Sequence, residues 1–534
     1  MSREARLMRM SDTAWSERVS ASPSTGLLQA LLNPSFYPDA PGHVELIETH
    51  ISWVFLTDRF AYKLKKPVHF DFLDFSTLDL RRRDCQQEIE VNRRFTHRVY
   101  LAMVPITRGP EGGYQLAGPG EPVDWLVKMR RLPERRCLRT LIRSSHFDAH
   151  TQTVLAETLA LLYVGLAPVT IRAADYEQRL RAHIRSNGET LLSCAVASPE
   201  RLATLHAAQQ RFVWLRSPAL KTRVCDGRII DGHGDLRPEH IYLLQPMQII
   251  DAIEFNPEYR ANDIVDELAF LAMECRILGA NEFGSQLFDA YMRRSQDIIP
   301  AGLIDFYTSY RAAVRAKVLA LQSRQNGSPL DATPVERYLR LADEAATSFR
   351  RPVLLAMHGF SGSGKTTLAS AIGKCLGAEV LQTDWIRKQG RPAPAAPSPY
   401  GSGAYTTANR HQIYRELFAL AEHRLQSNPT VIMDGTFLTA DIRSQAEEFA
   451  RRQGAELLFI SCECPASVAE KRLRSRSEQD HELSDANTAI RRKQVADAAP
   501  LASHEAVAFV DTTDEMEVQL ETVRRRVLEL ACAP

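Results

Sequence analysis

The sequence lacks the segments that would place it in or across a membrane. Its first ten residues, MSREARLMRM, carry charges with no apolar stretch behind them, so they do not form a secretory signal. No run approaches the roughly 18 uninterrupted apolar residues that a spanning helix needs. These absences predict a cytoplasmic protein without a membrane partner.

Cysteine is sparse, and charge of one sign is not in excess. The nine cysteines are scattered and odd in number, which predicts reduced thiols rather than a disulfide framework. The 66 Lys and Arg residues oppose 65 Asp and Glu residues, which gives a formal net charge of +1. This balance provides no general attraction to nucleic acid, so a nucleic-acid partner is not expected.

The length implies more than one domain, because 534 residues exceed what one hydrophobic core usually supports. The polar stretch QSRQNGSPLDATP at 322–334 contains few apolar residues and marks the clearest internal boundary. We therefore predict four segments: a flexible N-terminus at 1–26, a first domain at 27–322, a linker and connecting helix at 323–350, and a second domain at 351–534.

The second domain alternates strands and helices in the manner of a doubly wound α/β fold with a mainly parallel sheet. Its short apolar runs are the predicted strands, at 353–357, 378–384, 430–435, 455–463 and 506–511. Segment 390–405 is rich in Pro, Ala, Gly and Ser and interrupts the alternation. It is predicted to be a long loop, either a substrate lid or an inert insertion.

GFSGSGKTT fits the pattern G-x-x-x-x-G-K-[ST] and lies between a predicted strand and a predicted helix. In such a loop the backbone amides turn toward phosphate oxygens, and the helix dipole adds to their attraction. Lys365 would neutralise the β and γ oxygens, and the Thr366 hydroxyl would coordinate Mg²⁺. The cofactors are thus predicted to be ATP and Mg²⁺. The predicted nucleotide-binding residues are Gly359, Ser361, Gly362, Ser363, Gly364, Lys365, Thr366 and Thr367.

Two carboxylates near this loop suit phosphoryl transfer. Asp384 is predicted at the carboxyl end of a strand, where α/β sheets place their ligands, and it can deprotonate a hydroxyl acceptor. Arg387 follows three residues later and can hold an anionic substrate; the alternative is a helix N-cap with a solvated arginine. Asp434 ends another predicted strand and suits a metal-binding carboxylate.

The segment EKRLRSRSEQD places Arg472 and Arg476 about one helical turn apart, with Arg474 between them. Two arginines near bound phosphates predict a lid that stabilises transition-state charge, and a solvated basic face is the alternative. The stretches GFSGSGKTTLA, TDWIRK, VIMDGTFL and CECPASVAEKRLRSR together resemble small P-loop kinases related to gluconate kinase, polynucleotide 5′-kinase and zeta-type toxins. That resemblance implies phosphoryl transfer from ATP to a hydroxyl, with Asp384 as base and Arg472 and Arg476 in the lid.

The first domain carries a second set of kinase-type residues. HGDLRPEHI contains H-x-D, and an apolar run ending at Asp251 follows it at the distance expected between a catalytic loop and a metal-binding carboxylate. Asp235 would accept the acceptor's proton and Asp251 would hold Mg²⁺. Upstream, Lys63 on a predicted strand and Glu88 on a predicted helix are candidates for the ion pair that positions ATP phosphates. Asp266, at a predicted helix start, is positioned to brace the catalytic loop.

These residues resemble the aminoglycoside phosphotransferases, and the whole chain resembles the bifunctional aminoglycoside phosphotransferase/ATP-binding protein family. The motifs are AYKLKK, VKMRRLPE, HGDLRPEHI, IIDAIEFN and VDELAFL. The resemblance implies an α+β, two-lobed, protein-kinase-like fold. It also implies Asp235 as base, Asp251 as metal ligand and Lys63 as phosphate clamp. His240 departs from the family pattern, which has a metal-binding Asn there, and imidazole is a poor ligand for Mg²⁺.

Three readings of function remain open from the sequence. The first is a phosphotransferase with two ATP sites, whose P-loop site acts on a small-molecule hydroxyl. The second makes the first domain a degenerate kinase that binds substrate or regulates the P-loop domain, with His240 as the discriminating residue. The third is a nucleic-acid 5′-kinase or repair-associated ATPase, which only the locally basic stretch RRRDCQQEIEVNRRFTHR favours.

Overall fold

The computed structural model describes residues 25–49, 51–70, 73–109, 112–325, 332–388, 407–477 and 488–531. The chain forms two compact units, each assembled from separate stretches. Unit 1 comprises Met1–Thr170 and Gly227–Ile299, and unit 2 comprises Ile171–Asp226 and Pro300–Pro534. The units divide the chain differently from the sequence-based boundaries, which stay a prediction.

The elements are numbered in chain order. The α-helices are α1 (Thr25–Leu32), α2 (Leu78–Asn92), α3 (Leu138–Arg143), α4 (Ala149–Val164), α5 (Ala173–Ser193), α6 (Pro199–Leu215), α7 (Ser217–Cys225), α8 (Ile264–Ile277), α9 (Phe283–Ser295), α10 (Leu303–Gln325), α11 (Ala332–Ala346), α12 (Lys365–Leu376), α13 (Thr383–Lys388), α14 (Thr407–Leu425), α15 (Ala440–Arg452), α16 (Ala466–Ser477), α17 (Thr488–Asp497) and α18 (Met516–Ala531). Short 3₁₀ helices lie at Pro34–Phe36, Glu134–Arg136, Pro238–His240 and Pro257–Tyr259.

The strands are β1 (Glu45–Glu48), β2 (Ser52–Leu56), β3 (Phe60–Lys65), β4 (His69–Phe70), β5 (Leu73–Asp74), β6 (Tyr100–Arg108), β7 (Tyr114–Leu116), β8 (Pro122–Arg130), β9 (Ile229–Asp231), β10 (Ile241–Tyr242), β11 (Gln248–Ile249), β12 (Ala261–Asp263), β13 (Val353–His358), β14 (Val380–Gln382), β15 (Thr430–Asp434), β16 (Glu456–Glu463) and β17 (Val507–Asp511).

Unit 1 is built on an antiparallel sheet with the strand order β1-β2-β3-β8-β6-β7. Strands β2 and β3 form an antiparallel hairpin that turns near Asp58, and β3 contains Lys63, which was predicted to lie on a strand. Helix α2 begins after Thr77, whose side chain accepts a hydrogen bond from the Leu80 amide and caps the helix. Its buried Cys85 and Ile89 share a hydrophobic core with residues of β3 and β8, so α2 lies against the sheet.

Helices and two short ribbons complete unit 1. Helix α9 packs against both α4 and α8, and the ribbons pair β9 with β12 and β10 with β11. The segments 233–240 and 250–254, which contain the predicted catalytic-loop and metal residues, lie beside these ribbons. This antiparallel sheet with helices confirms the predicted α+β class of the N-terminal part.

Unit 2 contains the predicted parallel sheet, with the strand order β14-β15-β13-β16-β17 and parallel pairing throughout. Helices cover both faces: Ile372 and Val523 pack on one core, and Tyr414 and Phe449 on the other. The α/β class is therefore confirmed. The predicted strand at 378–384 is shorter than expected, since β14 ends at Gln382 and Asp384 lies in helix α13. The predicted loop at 390–405 lies outside the described residues.

Helix α6 belongs to the core of unit 2 although it is far from the P-loop in sequence. Trp214 packs in the same cluster as the central strand β13. The buried Arg211 guanidinium donates to the carbonyls of Phe349 (2.7 Å), Arg351 (2.8 Å) and Pro429 (2.9 Å), just before β13 and β15 begin. Burial lowers the pKa of Arg211 to about 10, so it stays charged near neutral pH.

Among the described residues, no helix combines the length and the apolar character needed to cross a membrane.

Candidate active sites

The P-loop turns between β13 and α12 as the sequence predicts. Gly359 and Gly362 have φ values of +132° and +81°, in the region that favours glycine. A Cβ atom on Gly359 would lie 2.7 Å from the Cys462 carbonyl oxygen, and one on Gly362 would lie 2.8 Å from the Ala469 carbonyl oxygen. Both glycines are therefore required by close backbone approach as well as by dihedral angle.

The side chains of this loop are arranged for an anion and a hard cation. Thr366 Oγ1 donates to Asp434 Oδ2 at 2.7 Å, and Asp434 is the last residue of the buried strand β15. Lys365 Nζ donates to the Phe360 carbonyl at 2.7 Å. Ser363 Oγ is buried without a hydrogen-bond partner among the described residues. Because the donors at Thr366 and Asp434 are oxygens, which Mg²⁺ prefers, this set fits a magnesium nucleotide.

Asp384 and Arg387 form an ion pair within helix α13. The Asp384 side chain is 30% exposed, so a carboxylate oxygen can reach a ligand. Thr383 Oγ1, at the start of the same helix, donates to the Asp434 carbonyl at 3.2 Å, which places α13 beside the end of β15. The structure thus brings Asp384 to the P-loop edge of the sheet, and its role as base stays a prediction.

The lid arginines differ in their surroundings. Arg472 donates to Thr512 Oγ1 (3.0 Å) and to the Thr512 carbonyl (2.8 Å), and Thr512 Oγ1 donates to the Ser363 carbonyl at 2.8 Å. Arg472 therefore lies against the P-loop. The Arg474 side chain is 77% exposed, and its guanidinium lies 3.8 Å from a carboxylate oxygen of Glu470 on the same helix. The backbone of Arg476 continues α16, and its side chain lies outside the described residues.

Three residues at the P-loop were not found from the sequence: Thr512, Arg491 and Gln494. Arg491 Nη1 donates to the Ser361 carbonyl at 2.8 Å, and Gln494 Oε1 accepts from the Ser361 amide at 2.9 Å. No motif marks them, because isolated polar residues on a helix, such as Arg491 and Gln494, or after a strand, such as Thr512, are typical of a solvent-facing surface. Their partners are distant in sequence, so only the fold brings them together.

In unit 1 the predicted lysine–glutamate pair is formed. Lys63 Nζ lies 2.9 Å from Glu88 Oε1 and 2.8 Å from Asp251 Oδ1. Burial favours neutral Asp251, yet Lys63 and His240 outweigh it and lower the pKa of this carboxyl. Asp251 has a φ of +65°, a strained conformation for a non-glycine residue that often marks a functional position. The structure thus brings three of the predicted residues into direct contact.

A second buried lysine, Lys65, lies in the same network. Its Nζ atom is 2.5 Å from Asp84 Oδ2, 2.7 Å from Glu88 Oε2 and 2.5 Å from Glu254 Oε1, and its side chain is fully buried. These three carboxylates converge closely enough to hold a metal ion, but the ammonium group of Lys65 already lies among them. Lys65 was not found from the sequence. Side chains two residues apart share one face of a strand, so the position of Lys63 on β3 could have predicted Lys65 beside it.

The catalytic-loop segment is held by Glu267 of α8. Glu267 Oε2 accepts from the His233 amide at 2.9 Å, and Oε1 accepts from the Gly234 amide at 2.8 Å. These bonds come from Glu267, one residue after the predicted brace at Asp266. The Asp235 side chain is 30% exposed, as a base requires.

His240 occupies the position between the two predicted acidic residues. Its Nδ1 is 2.8 Å from the Asp235 carbonyl oxygen, and its Nε2 is 3.7 Å from Asp251 Oδ2. Burial lowers the pKa of His240 to about 4, so the ring is neutral at physiological pH. The residues facing Asp251 therefore offer a neutral imidazole where an oxygen ligand was expected.

Comparisons with known proteins support the P-loop assignment and reveal a family. Residues 354–501 match the family model described as an AAA domain. An uncharacterised protein of Mycobacterium tuberculosis (strain H37Rv), Rv2004c, is 32% identical over 444 residues, which cover 81% of this chain and 86% of that protein.

Two solved structures with low similarity match different parts of the chain. A gluconokinase from Sinorhizobium meliloti is 18% identical, with a TM-score of 0.25, and the match covers 34% of this chain and 94% of that one. A choline/ethanolamine kinase family protein from Mesorhizobium loti is 14% identical, with a TM-score of 0.36, and the match covers 60% of this chain and 95% of that one.

Proposed function

The chain belongs to the family of the mycobacterial protein Rv2004c, and we propose that its P-loop site transfers the γ-phosphate of ATP to a hydroxyl of a small molecule. The contact that carries this proposal is the 2.7 Å hydrogen bond between Thr366 Oγ1 and Asp434 Oδ2. Thr366 directly follows a loop whose geometry requires glycine. The AAA domain match spans both residues. Near-neutral net charge favours a small acceptor over nucleic acid.

In the proposed reaction Asp384 accepts the proton of the acceptor hydroxyl, whose oxygen attacks the γ-phosphorus. The bond from that phosphorus to the β,γ-bridging oxygen breaks, and ADP leaves with the electron pair. Arg387 orients Asp384 or an anionic group of the acceptor, and Arg472 with Arg476 stabilises the negative charge of the transferring group. Mg²⁺, held by Thr366 and Asp434, would neutralise phosphate charge when bound.

The test is ATP consumption by the full chain against a panel of sugars, polyols, nucleosides and nucleotide sugars. Lys365→Ala is expected to abolish acceptor-dependent turnover at the P-loop without lowering the melting temperature, because Lys365 contributes charge rather than core packing. Lys374→Ala is the matched control, since Lys374 is an exposed lysine on the same helix. Full acceptor-dependent turnover that persists in Lys365→Ala, and persists when Asp235→Asn is added to remove the unit 1 base, would show that the assignment is wrong.

We also propose that unit 1 holds a second ATP site of the aminoglycoside phosphotransferase type. Lys63 and Glu88 would position phosphates, Asp251 would bind the metal, and Asp235 would act as base. The contacts of Lys63 with Glu88 and Asp251 support this proposal. Nothing in the site specifies an aminoglycoside. ATP binding that persists in Lys365→Ala and is lost when Lys63→Met is added is the expected result.

A second candidate function for unit 1 is a nucleotide-binding module that regulates the P-loop site without transferring phosphate. The neutral ring of His240, 3.7 Å from Asp251 Oδ2, favours it, because the site then offers a single acidic metal ligand. The two candidates differ in turnover. Phosphate transfer that persists in Lys365→Ala and requires Asp235 would exclude the module, whereas binding without transfer would support it.

A further inference from the structure

Helix α17 holds both polar backbone groups of one P-loop residue. Arg491 Nη1 donates to the Ser361 carbonyl at 2.8 Å, and Gln494 Oε1 accepts from the Ser361 amide at 2.9 Å. Arg491 and Gln494 are three residues apart and therefore lie on one face of the helix. Gln494 is buried, as is Ile490 on the same side of α17, so the helix is packed against the loop.

The same helix also reaches the residue before Ser361. The guanidinium carbon of Arg491 lies 5.4 Å from the centre of the Phe360 ring, within the range of a cation–π contact. The Phe360 carbonyl accepts the bond from Lys365 Nζ at 2.7 Å. The position of α17 thus affects both the start of the loop and the Phe360 carbonyl that accepts the hydrogen bond from Lys365.

The Ser361 amide, directed at Gln494, does not point toward the phosphate cradle. On the other side of the loop, Thr512 holds the Ser363 carbonyl at 2.8 Å. The Ser361 and Ser363 carbonyls are thus bonded away from the cradle, and the Ser363 amide donates to the Phe360 carbonyl at 3.2 Å. Of the described loop amides, those of Gly362, Gly364, Lys365 and Thr366 are therefore the ones positioned for phosphate oxygens. This is a finer assignment than the sequence motif gives, because the motif treats all the loop amides alike.

We propose that Arg491 and Gln494 are positioning residues that keep the P-loop in its nucleotide-binding conformation, so that docking of α17 and occupation of the loop are coupled. The inference rests on the proposed function, since it requires a nucleotide at this loop. Coupling between two events is reciprocal. A nucleotide should therefore stabilise α17 against opening by the same factor by which docked α17 raises nucleotide affinity.

The experiment titrates the full chain with ADP and with a non-hydrolysable ATP analogue by calorimetry. Binding that persists in Lys365→Ala is subtracted, because it does not arise at the P-loop. The variants are Arg491→Ala and Gln494→Ala, with Arg491→Lys as the conservative change. Arg492→Ala is the matched control, since Arg492 is the neighbouring exposed arginine.

We expect Arg491→Ala and Gln494→Ala each to weaken ADP and the ATP analogue by the same factor, about tenfold, because each removes one hydrogen bond to Ser361. Arg491→Lys should recover part of the affinity, and Arg492→Ala should match the wild type. In hydrogen exchange, ADP should slow exchange at 488–497 in the wild type and do so less in Arg491→Ala.

Three results would overturn the inference. Weaker binding of the ATP analogue with unchanged ADP affinity would mean that Arg491 contacts the γ-phosphate and is catalytic. A lower melting temperature with unchanged affinities would mean that α17 is merely structural. Affinities equal to those of Arg492→Ala would mean that the contacts do not matter. A wild type without any Lys365-dependent binding would instead refute the proposed nucleotide site itself.

Discussion

Replacing Lys65 by methionine should destabilise the sheet-to-helix contact of unit 1 more than any other single lysine change nearby. The side chain keeps its approximate length and loses its charge, which leaves Asp84, Glu88 and Glu254 without their shared ammonium partner. These carboxylates are 9%, 0% and 4% exposed. Removing one partner of a buried ion pair costs about 3–5 kcal/mol, so this is the loss expected at a pH where all three are ionised.

Lys66→Met is the matched control, because it makes the same change one residue later. Lys66 Nζ lies 2.6 Å from Glu48, whose side chain is 61% exposed, and an ion pair in such a solvated position contributes under about 1 kcal/mol. The assay is native-state hydrogen exchange at amides of β3 and α2. Protection should fall by about 10²- to 10⁴-fold in Lys65→Met, and by less than about tenfold in Lys66→Met.

The free-energy cost of replacing Lys65 should also depend on pH, because Glu254 gains or loses a proton. Burial, with the nearby carboxylates, raises the pKa of Glu254 to about 7 despite the attraction of Lys65. Glu254 thus retains a proton in the folded state and loses it in the unfolded state between about pH 4.5 and 7. Its contribution to stability is full at low pH and is lost as the pH rises, by up to about 1.4 kcal/mol per pH unit.

Buried histidines oppose this slope. The pKa values of His233 and His240 are lowered by burial, so these rings favour folding as the pH rises through the same range. The informative quantity is therefore the difference between the wild type and Glu254→Gln, in which the Glu254 contribution is absent. Equal protection in Lys65→Met and Lys66→Met at pH 8, or an unchanged pH slope in Glu254→Gln, would refute the charge-balance reasoning.

Two further changes test the sites directly. Asp384→Asn should reduce phosphoryl transfer far more than ATP affinity, because the amide keeps the shape of the carboxylate but cannot accept a proton. Steady-state turnover and calorimetric ATP binding measure the two quantities. An equal loss in both would make Asp384 a metal ligand or a structural cap. His240→Asn should strengthen Mg²⁺-dependent nucleotide binding at the unit 1 site, because it supplies an oxygen ligand beside Asp251. The binding is measured in the Lys365→Ala background. Nucleotide binding without any change in its Mg²⁺ dependence would contradict the role given to His240.

The sequence by itself determined the features that depend on neighbours in the chain. The P-loop is contiguous, so its pattern predicted the turn and the need for glycine at 359 and 364, both of which have positive φ. Short apolar runs alternating with helical segments predicted the parallel sheet of unit 2. Lys63 and Glu88 lie 25 residues apart and were predicted to pair from the kinase pattern of a strand lysine and a helix glutamate. The 2.9 Å contact is observed.

Tertiary structure alone decided the contacts between residues that no local pattern links. Arg211 of α6 reaches carbonyls before β13 and β15, Gln494 reaches Ser361, and Glu254 reaches Lys65. A polar residue on a helix or loop is most often solvated, so its sequence context gives no sign of a buried partner elsewhere. The physical reason is that burial and partner choice depend on how distant segments pack, whereas a loop motif or a strand period depends on backbone geometry over a few residues.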